Sequence, residues 1–225
     1  MAEVANDTAN PDISLLHDIN DFAKQAPRGV DRAVEFMGEY GLVALMLLLA
    51  GVCWWRVARR SPDAPAAVAG VLWSGLAAGI ALLLNLPIRA LVQRPRPFVE
   101  HDGIDVLVHG TTGYAFVSAH AALTAAMAVG LFMVSRKVGV LAIVLALAEG
   151  FSRVYLGVQY PTDVIGGFAL GAATALLLAP LALALLTSLA TTLTHTRAAP
   201  LIRTPHHPPR PTPFRHSAAD KDLAA

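Results

Sequence analysis

The chain has 225 residues, of which 55% are hydrophobic and only 15% charged, and its formal net charge is +1. An ordinary soluble domain carries about 25% charged residues, so this composition excludes one and describes an integral membrane protein. A helix that crosses a bilayer needs about 20 mostly apolar residues, and the chain is long enough to hold several.

Residues 1–12 have no basic start followed by an apolar core, so no cleaved signal is expected and insertion falls to the spans themselves. Residues 12–38 carry Leu15, Ile19 and Phe22 on one helical face and, beyond Pro27, Val30, Val34 and Met37 on another. Two short helices lying at the membrane interface fit this pattern, and so does an amphipathic segment packed on a bundle. Apolar runs at 40–57, 66–86, 116–134 and 164–189 predict spans, and 138–155 predicts a weaker one. Cys53 lies within the first run as filler and provides no disulfide framework. Glu149 and Arg153 weaken the 138–155 run. Ionisable residues inside a span are costly and mark function, unless these two simply pair at i,i+4. From His195 onward prolines, arginines and histidines mix without periodicity, which predicts disorder, with His206 and His207 solvated rather than metal-binding.

The expected fold is therefore all-α: a polytopic membrane helix bundle of five spanning helices plus an amino-terminal interfacial helical segment. The expected divisions are 1–38, an interfacial amphipathic segment; 39–190, the membrane-embedded domain; and 191–225, a disordered cytoplasmic tail.

Cytoplasmic loops favour Lys and Arg. Arg56, Arg59 and Arg60 follow the first run, Arg136 and Lys137 follow the third, and the tail is basic. Those segments are expected inside. Five spans then put the amino-terminal segment, the loop at 87–115 and the stretch at 153–163 outside, at the face of the plasma membrane away from the cytoplasm. Arg89, Arg94, Arg96 and Arg153 lie on that disfavoured side, which suggests that they hold an anion. Because the chain crosses no membrane from Arg89 to His120 and crosses twice from His120 to Ser152, all of these residues are expected to meet at one face.

Guanidinium groups bind phosphate oxygens through paired, charge-assisted hydrogen bonds and keep their charge in a partly dry pocket, so Arg89, Arg96 and Arg153 form the natural clamp. Ser118 precedes a clean apolar run as its helix cap, leaving the amides of Ala119 and His120 for an anion. His120, in the first helical turn, is suited to protonate a leaving group. His101 and His109 are either head-group contacts or solvated loop residues.

These pieces resemble the type 2 phosphatidic acid phosphatase family, whose signature is K-x6-R-P, P-S-G-H and S-R-x5-H-x3-D. "RALVQRPRP" supplies Arg89 in place of the lysine, then Arg96 and Pro97; "VSAH" supplies Ser118 and His120; "SRVYLGVQYPTD" supplies Ser152, Arg153 and Asp163. The resemblance implies a six-helix membrane architecture, counting an interfacial helix here. It implies phosphate binding by Arg89, Arg96, Ser118 and Arg153, general-acid catalysis by His120, and an orienting carboxylate at Asp163; the Ala119 amide and Ser152 are expected phosphate contacts beside them. It implies no cofactor and no metal. The expected partners are a lipid phosphate and the bilayer, with no nucleic acid.

One departure matters for the chemistry. Where the resemblance implies a nucleophilic histidine, this chain has Gln159, and a carboxamide cannot form a phosphoenzyme. The leading expectation is a hydrolase acting on a lipid phosphate or diphosphate, polyprenyl or phosphatidic-acid-like, at the outer membrane face. Either Gln159 and Asp163 align a water, or His120 itself attacks. The alternative is a non-catalytic binder of lipid phosphate with the same fold. A channel for an inorganic anion ranks last, since its charges would line a path through the membrane.

Overall fold

The computed structural model describes residues 10–101, 103–108 and 112–204, and all regular structure among them is helical. Asn10 opens α1 (Pro11–Lys24) by accepting the Asp12 amide on its side chain, and Pro11 needs no acceptor in the first turn. α1 buries Ile13, Leu16, Asn20 and Ala23 and turns Leu15 and Phe22 outward. The stripe of Leu15 and Phe22 is thus the outer one. The inner stripe is hard to see in the sequence because it contains a polar residue: Asn20 exchanges two 2.9 Å hydrogen bonds with the main chain of Asp105.

α2 (Arg28–Arg60) runs unbroken for 33 residues. The second short interfacial helix predicted after Pro27 is in fact the start of this long one. Wider π turns at Met37–Gly41 and Cys53–Val57 absorb the change of register along it. Asp63 caps α3 (Ala64–Val92) by accepting the Ala66 amide, and the helix stops at Gln93 in the left-handed conformation. A single turn, α4 (Pro97–Glu100), follows. Then come α5 (Ala119–Val134), α6 (Arg136–Tyr155), α7 (Pro161–Leu177) and α8 (Ala179–Leu193).

α2, α3 and α6 are long and apolar enough to cross a membrane, the α7–α8 pair makes a fourth span if it crosses as one, and α5 is a shorter apolar helix. The run at 164–189, predicted as one helix, bends by 54° between α7 and α8. Pro180, in the first turn of α8, has no N–H to bond back across the junction.

α5 is the centre of the bundle and packs against α3, α6 and α7. Its alanines and glycine keep it thin. On α7, Gly167 and Gly171 form a small-xxx-small ridge that lets the two backbones touch. A methyl group at Gly171 would fall 2.1 Å from the Ala122 carbonyl oxygen, and one at Gly167 would fall 2.6 Å from that of Ser118. Around this seam Trp73, Ala77, Ala81, Ala122, Ala126, Leu131, Ala146 and Ala175 form the main core. Trp73 adds an interhelical bond of 3.0 Å to the Ala175 carbonyl.

At the opposite end of the bundle from the site described below, the chain past α8 is ordered further than predicted. A short helix, α9 (Ala199–Ile202), buries Ile202 against Ala58, Val68 and Ala190. The Trp54 indole donates to the Leu201 carbonyl at 2.9 Å, and the Thr204 amide donates to that of Arg59 at 3.1 Å. Disorder predicted from His195 therefore does not hold through Thr204: one apolar pair, Leu201 and Ile202, gives the segment something to bury, and an indole N–H gains an acceptor. His109, His206 and His207 lie outside the described residues.

Candidate functional site

α3 ends, α5 begins, α6 ends and α7 begins at the same end of the bundle, so the three polar segments of the sequence meet there. The Ser118 amide donates to the Asp163 carbonyl at 3.0 Å and joins the starts of α5 and α7. Ser118 also caps α5, its hydroxyl accepting from the Ala121 amide at 3.4 Å. The amides of Ala119 and His120, in the first turn, have no intrahelical acceptor by position.

Arg96 is buried, and its guanidinium donates to the carbonyls of Gly113 at 3.1 Å, Thr112 at 3.2 Å and Val158 at 3.0 Å. It staples the loop before α5 to the turn that carries Gln159. Arg89 donates to the Tyr114 carbonyl. Arg89 and Arg96 thus grip the same loop before α5, and Arg96 also reaches the α6–α7 turn, where the Val158 amide donates to the Arg153 carbonyl at 3.2 Å.

The turn between α6 and α7 is shaped by Gly157 at φ +71°, where an added methyl would lie 2.6 Å from the Asp105 carbonyl. Gln159 follows, buried, with no hydrogen-bond partner for its Oε1. Asp163 does not engage it. The fully buried Asp163 accepts from the Tyr160 amide on Oδ2 at 3.2 Å and from Arg94 on Oδ1 at 2.8 Å. Arg94 also donates to Thr162 Oγ1 and to Asp12 Oδ2, each at 2.8 Å, and stacks 3.7 Å over the Tyr160 ring. Asp12, from α1, accepts in addition the amide and hydroxyl of Thr162. Burial pushes the Asp12 carboxyl up, but hydrogen bonds from Thr162 and Arg94 outweigh it and hold the group below the ordinary carboxylate range.

Arg153 is buried and donates to the Gly38 carbonyl at 2.9 Å and, through both terminal nitrogens, to Glu39 Oε2 at 3.1 and 3.2 Å. Glu149, one turn back on α6, is fully buried and 3.9 Å from Arg153, and neither of its oxygens has a hydrogen-bond partner. The i,i+4 relation is present, but as a loose ion pair. Ser152 turns its hydroxyl back to the Glu149 carbonyl at 2.7 Å. His120 and Glu39 both line a cavity of about 480 Å³, whose other walls include Val43, Ala44, Leu47, Leu82 and Leu123. The cavity is thus an apolar trough with an imidazole and a carboxylate at its head.

Arg94, Asp12 and Glu39 were not assigned to the site from the sequence. Arg94 was visible only as one more arginine on that side. Asp12 and Glu39 are brought in by helices that carry none of the three motifs.

The PAP2 superfamily model matches residues 70–187. Over 137 residues the chain is 29% identical to the undecaprenyl-diphosphatase of Bacillus subtilis, covering 61% of this chain and 67% of that protein. Over 142 residues it is 36% identical to the decaprenylphosphoryl-5-phosphoribose phosphatase of Mycobacterium tuberculosis, covering 63% and 72%. Among solved structures it is similar to the first transmembrane PAP2 type phosphatidylglycerolphosphate phosphatase from Bacillus subtilis, with a TM-score of 0.53, 26% identity and coverage of 75% of this chain and 84% of that one.

Proposed function

The chain belongs to the PAP2 superfamily, and from that premise we propose that it is an integral membrane hydrolase of a lipid phosphate or diphosphate, polyprenyl or phosphatidic-acid-like, with its site on the extracytoplasmic face. The observation that carries the reading is the meeting of the three motif segments at one end of the bundle, where the loop gripped by Arg89 and Arg96 leads into α5 and His120 opens onto an apolar-walled cavity. Relatives whose names specify polyprenyl diphosphate and decaprenylphosphoryl substrates favour the prenyl class. α2, α3, α5, α6 and the bent α7–α8 pair are the five crossings of this reading. α1 lies at the interface, residues 39–190 form the embedded domain, and the chain beyond α8 is cytoplasmic, as the positive-inside distribution of Lys and Arg favours.

In this proposal Arg89, Arg96, Arg153, Ser118, Ser152 and the Ala119 amide hold the phosphate, and Gln159 stands where the family's nucleophile would be. Phosphoryl transfer passes through a loose transition state that demands positioning and charge stabilisation more than a strong base. The unpartnered Oε1 of Gln159 accepts a hydrogen bond from the attacking water and aims it; the water oxygen forms the new bond to phosphorus and its proton passes to an oxygen of the phosphate that is released. The phosphorus–leaving-group bond breaks, and His120 protonates the departing oxygen. Asp163 fixes the start of α7, and through it the Gln159 turn, rather than touching the water.

The commitment of Asp163 to Arg94 favours a second reading, a binder that holds lipid phosphate without turning it over. Purified protein in detergent, offered a panel of lipid mono- and diphosphates, separates the two. Released phosphate that is lost in His120→Ala is the expected result. Bound lipid without release selects the binder, and neither binding nor release overturns both.

A further inference from the structure

The buried Arg153, one arm of the proposed clamp, is already occupied. Glu39 Oε2 bridges both of its terminal nitrogens at 3.1 and 3.2 Å, which is the place one phosphate oxygen would take on the same guanidinium edge. Glu39 is the partner free to leave. Its side chain is 27% exposed whereas that of Arg153 is 4% exposed. It lies in the π turn Met37–Gly41 rather than in tight α-helix. It also borders a second cavity, of about 350 Å³, lined by Arg32, Glu35 and Phe36, which gives a displaced carboxylate both space and another cation. Glu149, the second acid beside Arg153, is fully buried, 3.9 Å away and without a hydrogen bond, so it remains as counter-ion when Glu39 departs.

We propose that Glu39 is the resident anion of the phosphate pocket: it holds Arg153 while the site is empty and is displaced by the substrate's terminal phosphate. This rests on the reading of Arg153 as a phosphate ligand. It makes Glu39 a specificity-determining residue. A ligand enters only if it outcompetes a tethered carboxylate, so a phosphate monoester or diphosphate is admitted, while fatty carboxylates and singly charged phosphodiester lipids, abundant in any bilayer, are turned away.

The test is calorimetric binding of inorganic phosphate to the purified full chain in detergent, with oleate as the carboxylate competitor. Glu39→Gln keeps the shape and an acceptor for Arg153 but removes the charge. It is expected to tighten phosphate binding about five- to tenfold, the weight of one partly exposed ion pair, and to let oleate compete where it does not in wild type. Phosphate binding that is unchanged or weaker in Glu39→Gln overturns the proposal. Should that variant not fold, hydrogen exchange on the wild-type chain decides. Saturating phosphate should speed exchange of the amides at 37–41 as the turn is released, and protection or no change there overturns the proposal equally. If wild type binds phosphate and loses that binding in Arg153→Lys, yet both Glu39 readouts fail, the resident-anion idea alone is wrong. If no form of the chain binds phosphate, the clamp itself is misassigned and the proposal falls with it.

Discussion

Two arginines at this end of the bundle are each held between two carboxylates, but in opposite ways. Arg94, between Asp12 and Asp163, has 2.8 Å contacts to both acids and to Thr162, with an aromatic ring beneath it. Arg153, between Glu39 and Glu149, has longer bonds to one acid and only a 3.9 Å approach to the other. The first arrangement is saturated and ties α1, the α3–α4 connection and α7 into one joint. The second leaves a buried carboxyl without a hydrogen bond, a state that costs stability and that a fold keeps where something exchanges. Of this pair, Arg94 builds the site's wall and Arg153 is available to a ligand.

The largest effect that would break this comparison is expected from Arg94→Met. It strands the fully buried Asp163 with a single amide bond and leaves Asp12 only its bonds from Thr162. Removing one partner of a buried pair costs about 3–5 kcal/mol, and because Arg94 is 27% exposed the expected loss is at the lower end, about 3 kcal/mol. Unfolding in mixed detergent measures it. Glu149→Gln should shift the same transition by less than about 1 kcal/mol, since no hydrogen bond is lost and Arg153 keeps Glu39. Equal losses from the two would erase the distinction between joint and exchange site.

Next in size is Gln159→His. In the proposed site an imidazole here supplies a nucleophile beside the proposed clamp and is expected to raise hydrolysis by roughly 10²-fold, the lower range for a well-placed catalytic group, with phosphate trapped on the protein by acid quench. Because Arg94 holds Asp163 Oδ1 at 2.8 Å, the new imidazole must compete for its orienting carboxylate, and Asp163→Asn should remove most of the gain. Lipid phosphate binding with neither turnover nor a trapped phosphate would show that the Arg94 joint has closed the catalytic route.

Which segments meet at this end was legible in the sequence, because the apolar runs on either side of Arg136 predict an out-and-back path between His120 and Ser152 that returns 152–163 to 89–96 and 118–120. Ser118 was legible as a cap from its place before an apolar run. The partners of the arginines were not. Arg94 looks like Arg96 in sequence, and only the docking of α1 gives it Asp12. Glu39 stands between Gly38 and Gly41, just past the segment read as interfacial and just before the first apolar run, and the unbroken α2 brings it to Arg153. The bend at Pro180 was masked by the hydrophobicity on both sides of it. The docked tail was masked by the prolines and arginines around Leu201 and Ile202.

A smaller effect sharpens the comparison from the ligand side. Arg153→Lys is expected to weaken lipid-phosphate binding about tenfold, because an ammonium point charge cannot repeat a two-pronged contact. Arg136→Lys, at the other end of α6, should leave binding unchanged. Titrating lipid phosphate into both variants checks this, and equal weakening would mean that the clamp lies elsewhere.

The smallest effect concerns acid. Asp12 titrates below the ordinary carboxylate range because Thr162 and Arg94 hydrogen-bond its charged form more strongly than burial opposes it. A carboxyl lowered in the folded state contributes stability that is fully present above its unfolded value of about 3.9 and is lost as pH falls through the folded one. Asp12→Asn lacks that contribution at every pH. At pH 7 the variant should therefore unfold more readily than wild type, by about 1 kcal/mol for an ion pair partly open to water. As the pH is lowered past 4 the gap should close, because wild type then loses what the variant never had. Melting curves of both proteins in detergent between pH 7 and pH 3 measure it. A gap that stays constant would show that Asp12 binds Thr162 and Arg94 by shape alone, and the saturated joint would then owe its strength to Asp163.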